Sequence, residues 1–448
     1  MLEKILELLK NKNLSELKEF LADSNNADIS ECIDEMDSSE DIGVIFRLLD
    51  KDDASDVFAR LESDGQEKII NILTSQELSA VISEMYVDDA AELVSEMPAN
   101  LVTKVLQNTD PSKRKIINDI LKYPEDSAGS LMTVDYMDLR QNMTVQEAFA
   151  RIREIGVSKE TSSLSLLYVT DEKRYLVGVL SLKELLIAKT DDKIDDIMET
   201  NIITIHTHDD KEEVANMFDK YDFLVMPVVD NENRLVGIIT IDDAMEVMNE
   251  EKEEDFELMA AMLPSDETYF KTSVLEHTRN RAVWLTVLML TSILTGLIIS
   301  DFEGALAEVP VLMSFVPMIM DTGGNSGSQA STMIIRGLAT DEIETKDVLK
   351  AWWKEIRIAF CVGIWLCLIQ GVRIMIQYRN PILAFVLCTT LMFTVMLAKS
   401  LGCLLPMLAK KIKVDPAIMA APLITTFVDM GSLMIYFTIA TKLLNIGM

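Results

Sequence analysis

Thr425, Asp429, Ser432 and Tyr436 fall at i, i+4, i+7 and i+11 of the otherwise apolar stretch PLITTFVDMGSLMIYF. That spacing places four polar groups along one face of a helix. A carboxylate in the middle of a membrane-length apolar segment costs about 2.5–3.5 kcal/mol on insertion scales, so Asp429 is a candidate functional acid by default. If two copies of the chain meet along this face, two carboxylates oppose one another, and a divalent cation relieves their repulsion. Mg²⁺ sheds water reluctantly, so two carboxylates plus carbonyls would hold it through its hydration shell. Asp415, just before Pro416, starts the same segment, either as a helix cap or as a second acid on an ion's route.

A second chemical feature is PMIMDTGGNSGSQ, residues 317–329, inside another apolar stretch. Its glycines, proline and polar side chains argue against a lipid-facing helix and predict a broken span whose freed carbonyls suit a hydrated hard cation. Asp321, Gly323, Gly324 and Asn325, with Thr425, are then the expected pore lining. Close helix packing by small residues is the alternative reading.

The elements that position these residues divide the chain. Of 73 acidic and 41 basic residues, residues 1–281 hold 62 and 29, so the net charge of −32 arises entirely in that half. So many carboxylates repel one another unless cations neutralise them. Such acidity excludes nucleic acid as a partner. The five cysteines and three histidines form no ligand cluster; the cysteines read as small buried hydrophobes, and hard cations are favoured over soft ones. Residues 282–448 hold five apolar stretches, near 282–300, 309–336, 353–376, 380–404 and 416–441, each near the length of a span. Arg279, Arg281, Arg336, Lys346, Lys350, Lys354, Arg357, Lys410, Lys411 and Lys413 cluster on alternate sides, which predicts a cytoplasmic acidic half and an external C-terminus. Five spans make a thin pore wall, so a homodimer in the lipid bilayer is expected.

Residues 1–130 carry a twelve-residue period. One apolar track runs Ile45, Val57, Ile69, Val81, Leu93, Val105, Ile117; a second runs Leu49, Leu61, Leu73, Met85, Met97, Thr109, Leu121, with one miss at Thr109. Asp52, Asp64, Asp88, Asn100 and Ser112 recur in phase as helix starters. Short helices stacked into a superhelix follow.

Residues 131–249 hold two copies of a strand, turn, strand, helix unit offset by 59: TDEKRYLVGVLSLKEL (170–185) and VDNENRLVGIITIDDA (229–244). Each copy is preceded by an amphipathic helix, Val145–Ile155 and Glu212–Lys220. The pair resembles tandem cystathionine-β-synthase (CBS) domains, which bind adenosyl nucleotides between copies. That resemblance places Glu184, with Lys183, and Asp243 near ribose hydroxyls and makes ATP a candidate ligand. Alternatively, Ser181, Glu184, Thr240 and Asp243 simply start helices. The segment then continues as an acidic helix with an expected apolar face of Met245, Met248, Phe256, Met259 and Leu263, ending at Pro264.

A helical-repeat domain, paired CBS copies, an acidic connecting helix, GGNSGSQ and VDP followed by Asp429 together resemble the MgtE-type magnesium transporters and channels. The fold class implied is multidomain: an all-α superhelical domain (1–130), α/β tandem CBS domains (131–249), an acidic connecting helix (250–281) and an all-α five-helix transmembrane domain (282–448). The resemblance implies a homodimer in the cell (inner) membrane with a central Mg²⁺ path, closed when cytosolic Mg²⁺ bridges acids. Its pore acid falls on Asp429 and the acid at the pore mouth on Asp415. Its sensing acids fall on Asp56, Asp88 and Glu92 in the first domain and on Asp210, Glu212, Asp222 and Asp243 in the second CBS copy. On the connecting helix they fall on Glu246, Glu251, Glu254 and Asp255. No catalytic constellation is present, so an enzyme is not expected. The rival reading is a membrane-anchored adenine-nucleotide sensor without transport.

Overall fold

The computed structural model describes residues 1–156, 163–265, 269–270, 272–340, 342–419 and 421–444. The chain forms two compact units, Met1–Asn249 and Glu250–Met448.

The first unit opens with helices α1 (Leu2–Lys10), α2 (Leu14–Ala22) and α3 (Asn26–Asp34). Seven more follow at a strict interval: α4 (Ser39–Leu48), α5 (Lys51–Ala59), α6 (Ser63–Ile72), α7 (Ser75–Glu84), α8 (Val87–Glu96), α9 (Ala99–Asn108) and α10 (Pro111–Ile120). Their starts repeat every twelve residues because the buried track from Ile45 to Ile117 repeats so. The second track falls at or just beyond the helix ends. Thr109 is nonetheless buried there, because its hydroxyl donates to the Val105 carbonyl. The expected helix starters sit one residue inside their helices. The caps are Ser38, Asp50, Glu62, Thr74, Tyr86, Pro98 and Asp110. Asp52, Asp64 and Asp88 act instead as first-turn acids, favourable to the helix dipole.

After α11 (Ala128–Leu131) come β1 (Tyr136–Arg140), α12 (Val145–Gly156), β2 (Ser163–Thr170), β3 (Leu176–Ser181), α13 (Leu182–Ile187) and α14 (Ile194–Ile197). The second copy holds β4 (Ile205–His206), α15 (Lys211–Tyr221), β5 (Val225–Val229), β6 (Leu235–Thr240) and α16 (Ile241–Met259). Each copy is a three-stranded sheet with its first strand parallel to the second and the second antiparallel to the third. The opening strands β1 and β4 lack the turn signals that mark the hairpins. Asp171 and Asp230 each fold their hairpin turn by accepting two backbone N–H groups. The two turns then bond to one another, Leu176 N–H to the Asn233 carbonyl and Leu235 N–H to the Arg174 carbonyl. The segment entering each copy crosses the other copy's hairpin: Thr133 pairs with Ile238, and Glu199 with Val179. Gly237 and Gly178 admit those crossings, since a Cβ there would meet Met132 and Met198 at under 3 Å.

The second unit is helical: α17 (Val274–Asp301), α18 (Glu303–Glu308), α19 (Val316–Ala339), α20 (Val348–Gln377), α21 (Pro381–Lys411) and α22 (Ala421–Leu444). Among the described residues four stretches are long and apolar enough to cross a membrane: Val274–Asp301, Thr345–Gln377, Pro381–Lys411 and Pro416–Leu444. At 24 residues, α19 reaches about 36 Å, also enough, but its polar residues set it apart. α21 is central and touches α19, α20 and α22.

The expected break in the second span is absent. α19 runs unbroken through DTGGNSGSQ, so no carbonyls are freed, and the small residues serve close packing. A Cβ at Gly323 would meet Val428, Thr394 and Ser432; at Gly324, Thr425; at Gly327, Ile424 and Val428. Gly323 and Gly324 are therefore buried at helix contacts within the protomer. The cysteines also divide: Cys32 and Cys403 are buried, but Cys361 lies exposed on α20, whose outer face is apolar. Gly402 marks the tightest approach of α21 to α19, where a Cβ would stand 2.3 Å from the Gly327 carbonyl oxygen, while Gly296 has nothing within 4 Å. Gly402→Ala should therefore lower stability in detergent by about 1–3 kcal/mol, and Gly296→Ala should be neutral or stabilising. Thermal melts of the two variants compare them directly.

Candidate functional site

Among the described residues carboxylates influence one another at two places, one in each unit, although no three acidic, histidine or cysteine side chains stand close enough to hold a metal ion. In the first unit Asp88 and Asp89 occupy the opening turn of α8, and Asp243 the opening turn of α16. Burial pushes the Asp88 carboxyl well above the usual carboxylate range, helped by the charges of Asp89 and Asp243. Asp89 is raised by burial and by Asp56 and Asp242. Asp243 is pushed up to about 6, chiefly by burial, although it accepts from the Thr240 N–H and hydroxyl at 3.2 and 2.6 Å. Asp88 Oδ1 is buried and accepts no hydrogen bond. Three of the expected sensing acids, Asp56, Asp88 and Asp243, thus share one electrostatic cluster.

Two members of this cluster carried no sequence signal. Asp135, in the link before β1, caps α8 by accepting the Val87 N–H at 3.2 Å. The Lys113 ammonium donates to the Ile82 and Met85 carbonyls at the end of α7 and feels Asp135, Asp89 and Asp88, while burial holds its pKa down. Asp56 is already engaged, by Arg60 at 3.0 Å and Asn26 at 2.8 Å. The remaining expected acids of this unit are at exposed positions. Glu92 is on α8 and Glu246 on α16; Asp210 caps α15, Glu212 sits in its first turn, and Asp222 closes it in the left-handed region at φ 54°. Glu184 is drawn into a capping box, its Oε2 accepting the Ser181 N–H and hydroxyl, with exposed Lys183 beside it.

The second gathering joins α16 to the segment before α22. Asp255 is pushed up to about 6 by burial and by the facing charges of Asp415 and then Glu254. Leu258, one turn on, is buried with Ile335 and Ala417, which fixes this approach. Asp415 accepts the Ala417 N–H at 2.7 Å and so caps the short turn Pro416–Met419. The expected apolar face of α16 is met in part: Met259 packs beside buried Leu258, and Met248 and Leu263 are half-buried, but Ala244 and Val247 are buried where Met245 and Phe256 are 56% and 76% exposed. The helix stops at Met259, before Pro264, because Ala261 turns left-handed at φ 55°. Glu251 and Glu254 lie on the same helix, half-buried and exposed respectively.

Within the spans α19 has two sides. Gly323, Gly324, Gly327 and Ser331 are buried against the neighbouring helices, while Asp321, Asn325 and Gln329 are exposed at i, i+4 and i+8. Asn325 donates to Asp321 at 3.1 Å. On α22 the expected polar stripe is split. Ser432 and Tyr436 are fully buried within the protomer, the Tyr436 hydroxyl donating to the Leu312 carbonyl at 2.9 Å. Thr425 turns to the Pro422 carbonyl and packs on Gly324. Asp429 remains half-exposed on the outside of the protomer.

The divalent cation transporter model of the MgtE family matches residues 316–439, the MgtE intracellular N domain matches 24–126, and CBS domains match 128–191 and 194–250. The magnesium transporter MgtE of Bacillus subtilis is 36% identical over 340 residues, covering 76% of this chain and 74% of its own.

The chain belongs to the MgtE family.

The MgtE of Thermus thermophilus is likewise 36% identical, over 75% of this chain and 74% of its own. A solved cytosolic domain of the Mg²⁺ channel MgtE in complex with ATP matches 55% of this chain and 100% of its own, at 33% identity and a TM-score of 0.52. The soluble part of a magnesium transporter matches 56% of this chain at 27% identity and the same TM-score. MgtE membership makes this chain a multi-pass membrane transporter rather than an enzyme.

The raised carboxyls have a measurable consequence. Asp243 has a higher pKa folded than an ordinary unfolded Asp, so the folded state binds more protons between about pH 4 and 7. Stability in divalent-free buffer should therefore fall as pH rises through 6, and Asp243→Asn should flatten that fall. Melting curves recorded from pH 5 to 7.5 test both; an identical slope in the variant contradicts the assignment.

Proposed function

We propose that the chain is a homodimeric, channel-like Mg²⁺ importer of the cell membrane, with its acidic half in the cytoplasm and its C-terminus outside. The observation that carries this reading is the polar exterior of two membrane-length helices. Asp321, Asn325 and Gln329 on α19 and Asp429 on α22 are left open on the protomer surface. Lipid cannot accept such a surface, whereas a second copy across a water-filled path can. The similarity to curated magnesium transporters supports Mg²⁺ as the ion. Asp429 from each copy holds hydrated Mg²⁺ by charge through its water shell, and Asn325 and Asp321 extend the polar wall. Thr425, Gly323 and Gly324 set how closely α19 and α22 approach, and so fix the wall's position.

The same reading gives the carboxylate gatherings a regulatory role. Asp88, Asp89 and Asp243 in one unit, and Asp255 with Asp415 in the other, are acids pressed together without enough bases. Cytosolic Mg²⁺ neutralises them and holds the connecting helix α16 in the closed position. Exposed Glu92, Asp210, Glu212, Asp222, Glu246 and Glu254, with half-buried Glu251, supply further low-affinity ligands, which suits a response at millimolar concentrations. ATP occupies the CBS pair, a reading supported by the solved cytosolic domain of a relative in complex with ATP. There Glu184 and Asp243 each use one carboxylate oxygen in a cap and offer the other to a ribose hydroxyl, with Lys183 beside the phosphates.

The pore assignment is tested by Mg²⁺ uptake into proteoliposomes. Asp429→Ala should reduce uptake at least about tenfold, the scale of a lost charge–charge contact in a low-dielectric site, while its melting curve stays near that of the unaltered chain. Undiminished uptake contradicts it.

A further inference from the structure

One ion pair in the membrane unit has no part in the path described above. Lys399 on α21 and Glu355 on α20 place Nζ and Oε2 3.5 Å apart, with side chains only 7% and 10% exposed. Glu355 Oε2 is buried and accepts no hydrogen bond, so charge alone joins the two. Lys399 lies twelve residues, about 18 Å along the axis, before the basic end of α21 at Lys411, and its buried partner Glu355 stands between exposed Lys354 and Arg357 near the start of α20. Burying a charge pair among apolar helices is costly and seldom adds stability over an apolar pair, so its presence calls for a role.

Its position supplies one. α21 has two working sides. Thr394, Ala398 and Gly402 meet Gly323 and Gly327 of α19, the helix whose outer face carries Asp321 and Asn325. Lys399 and Ser400 turn toward α20, where Ser400 accepts from the Trp352 indole at 3.1 Å. The ammonium therefore sits behind the helix that bears the polar wall, and a cation on the outer face of that helix is roughly 15–20 Å away, one helix spacing plus the width of α19. A divalent cation still feels an unscreened unit charge at that distance: at an effective dielectric of about 20 the repulsion slows passage by roughly 15- to 40-fold.

We propose that Glu355 is the counter-ion that cancels Lys399, so that α21 presents no net positive charge to a cation moving along α19 and α22. Glu355 is a positioning residue that acts through Lys399 and touches no ion. This rests on the transport reading and extends it to residues outside the path. The two partners are then unequal. Removing Glu355 strands an ammonium in the membrane unit. Removing Lys399 leaves a carboxyl, which does not repel a passing cation.

Mg²⁺ uptake by the full-length chain in proteoliposomes separates these cases, with melting curves in detergent as the check on folding. E355Q should lose at least about tenfold of uptake, K399M should stay within about threefold of the unaltered chain, and E355Q/K399M should recover to near K399M. The charge-reversed pair E355K/K399E should also exceed E355Q, and it retains an ion pair for the fold. Equal losses in both single variants with no recovery in the double variant, or undiminished uptake in E355Q, overturn the proposal. No uptake by the unaltered chain overturns the transport reading instead.

Discussion

Carboxylates held close together in a poorly solvated place must be protonated, paired with a base or neutralised by a metal cation, and this constraint shapes the whole molecule. The acidic half has too few bases to pair them. Where folding presses acids together, at Asp88, Asp89 and Asp243 and again at Asp255 beside Asp415, burial and mutual repulsion raise the proton affinity of Asp88, Asp89, Asp243 and Asp255. A divalent cation relieves the repulsive part of that cost. The helical repeat, the paired α/β copies and the long helix α16 are the scaffolds that hold these acids at fixed separations.

The membrane unit meets the same constraint by different means. Small residues on α19 let α21 and α22 approach closely, which turns Asp321, Asn325 and Gln329 outward. Close packing inside the protomer and polarity outside it are two sides of one helix. Lys399 and Glu355 show the remaining solution, an ammonium and a carboxylate buried as neighbours.

The sequence made some of this legible and concealed the rest, for physical reasons. A twelve-residue period of buried apolar residues leaves one solution, and the helices begin in phase with it. The repeated Asp turns marked both hairpins because Asp171 and Asp230 close their turns with their own side chains. Composition misled at GGNSGSQ. Glycines in a span indicate either an open backbone or a close neighbour, and only the partners Val428, Thr394 and Thr425 show which. The apolar face of α16 was misplaced in part because Met245 and Phe256 satisfy helical periodicity equally well while pointing outward. Lys113, Asp135, Glu355 and Lys399 were missed because each acquires meaning from a partner distant in sequence.

The central claim is that a divalent cation, by neutralising facing carboxylates, holds α16 in place. Hydrogen–deuterium exchange of the peptides covering Ile241–Met259, followed through a Mg²⁺ titration at constant ionic strength, tests it most directly. The account predicts protection that rises over millimolar Mg²⁺ and is lost in Asp255→Asn; exchange that ignores Mg²⁺ in the unaltered chain would contradict it.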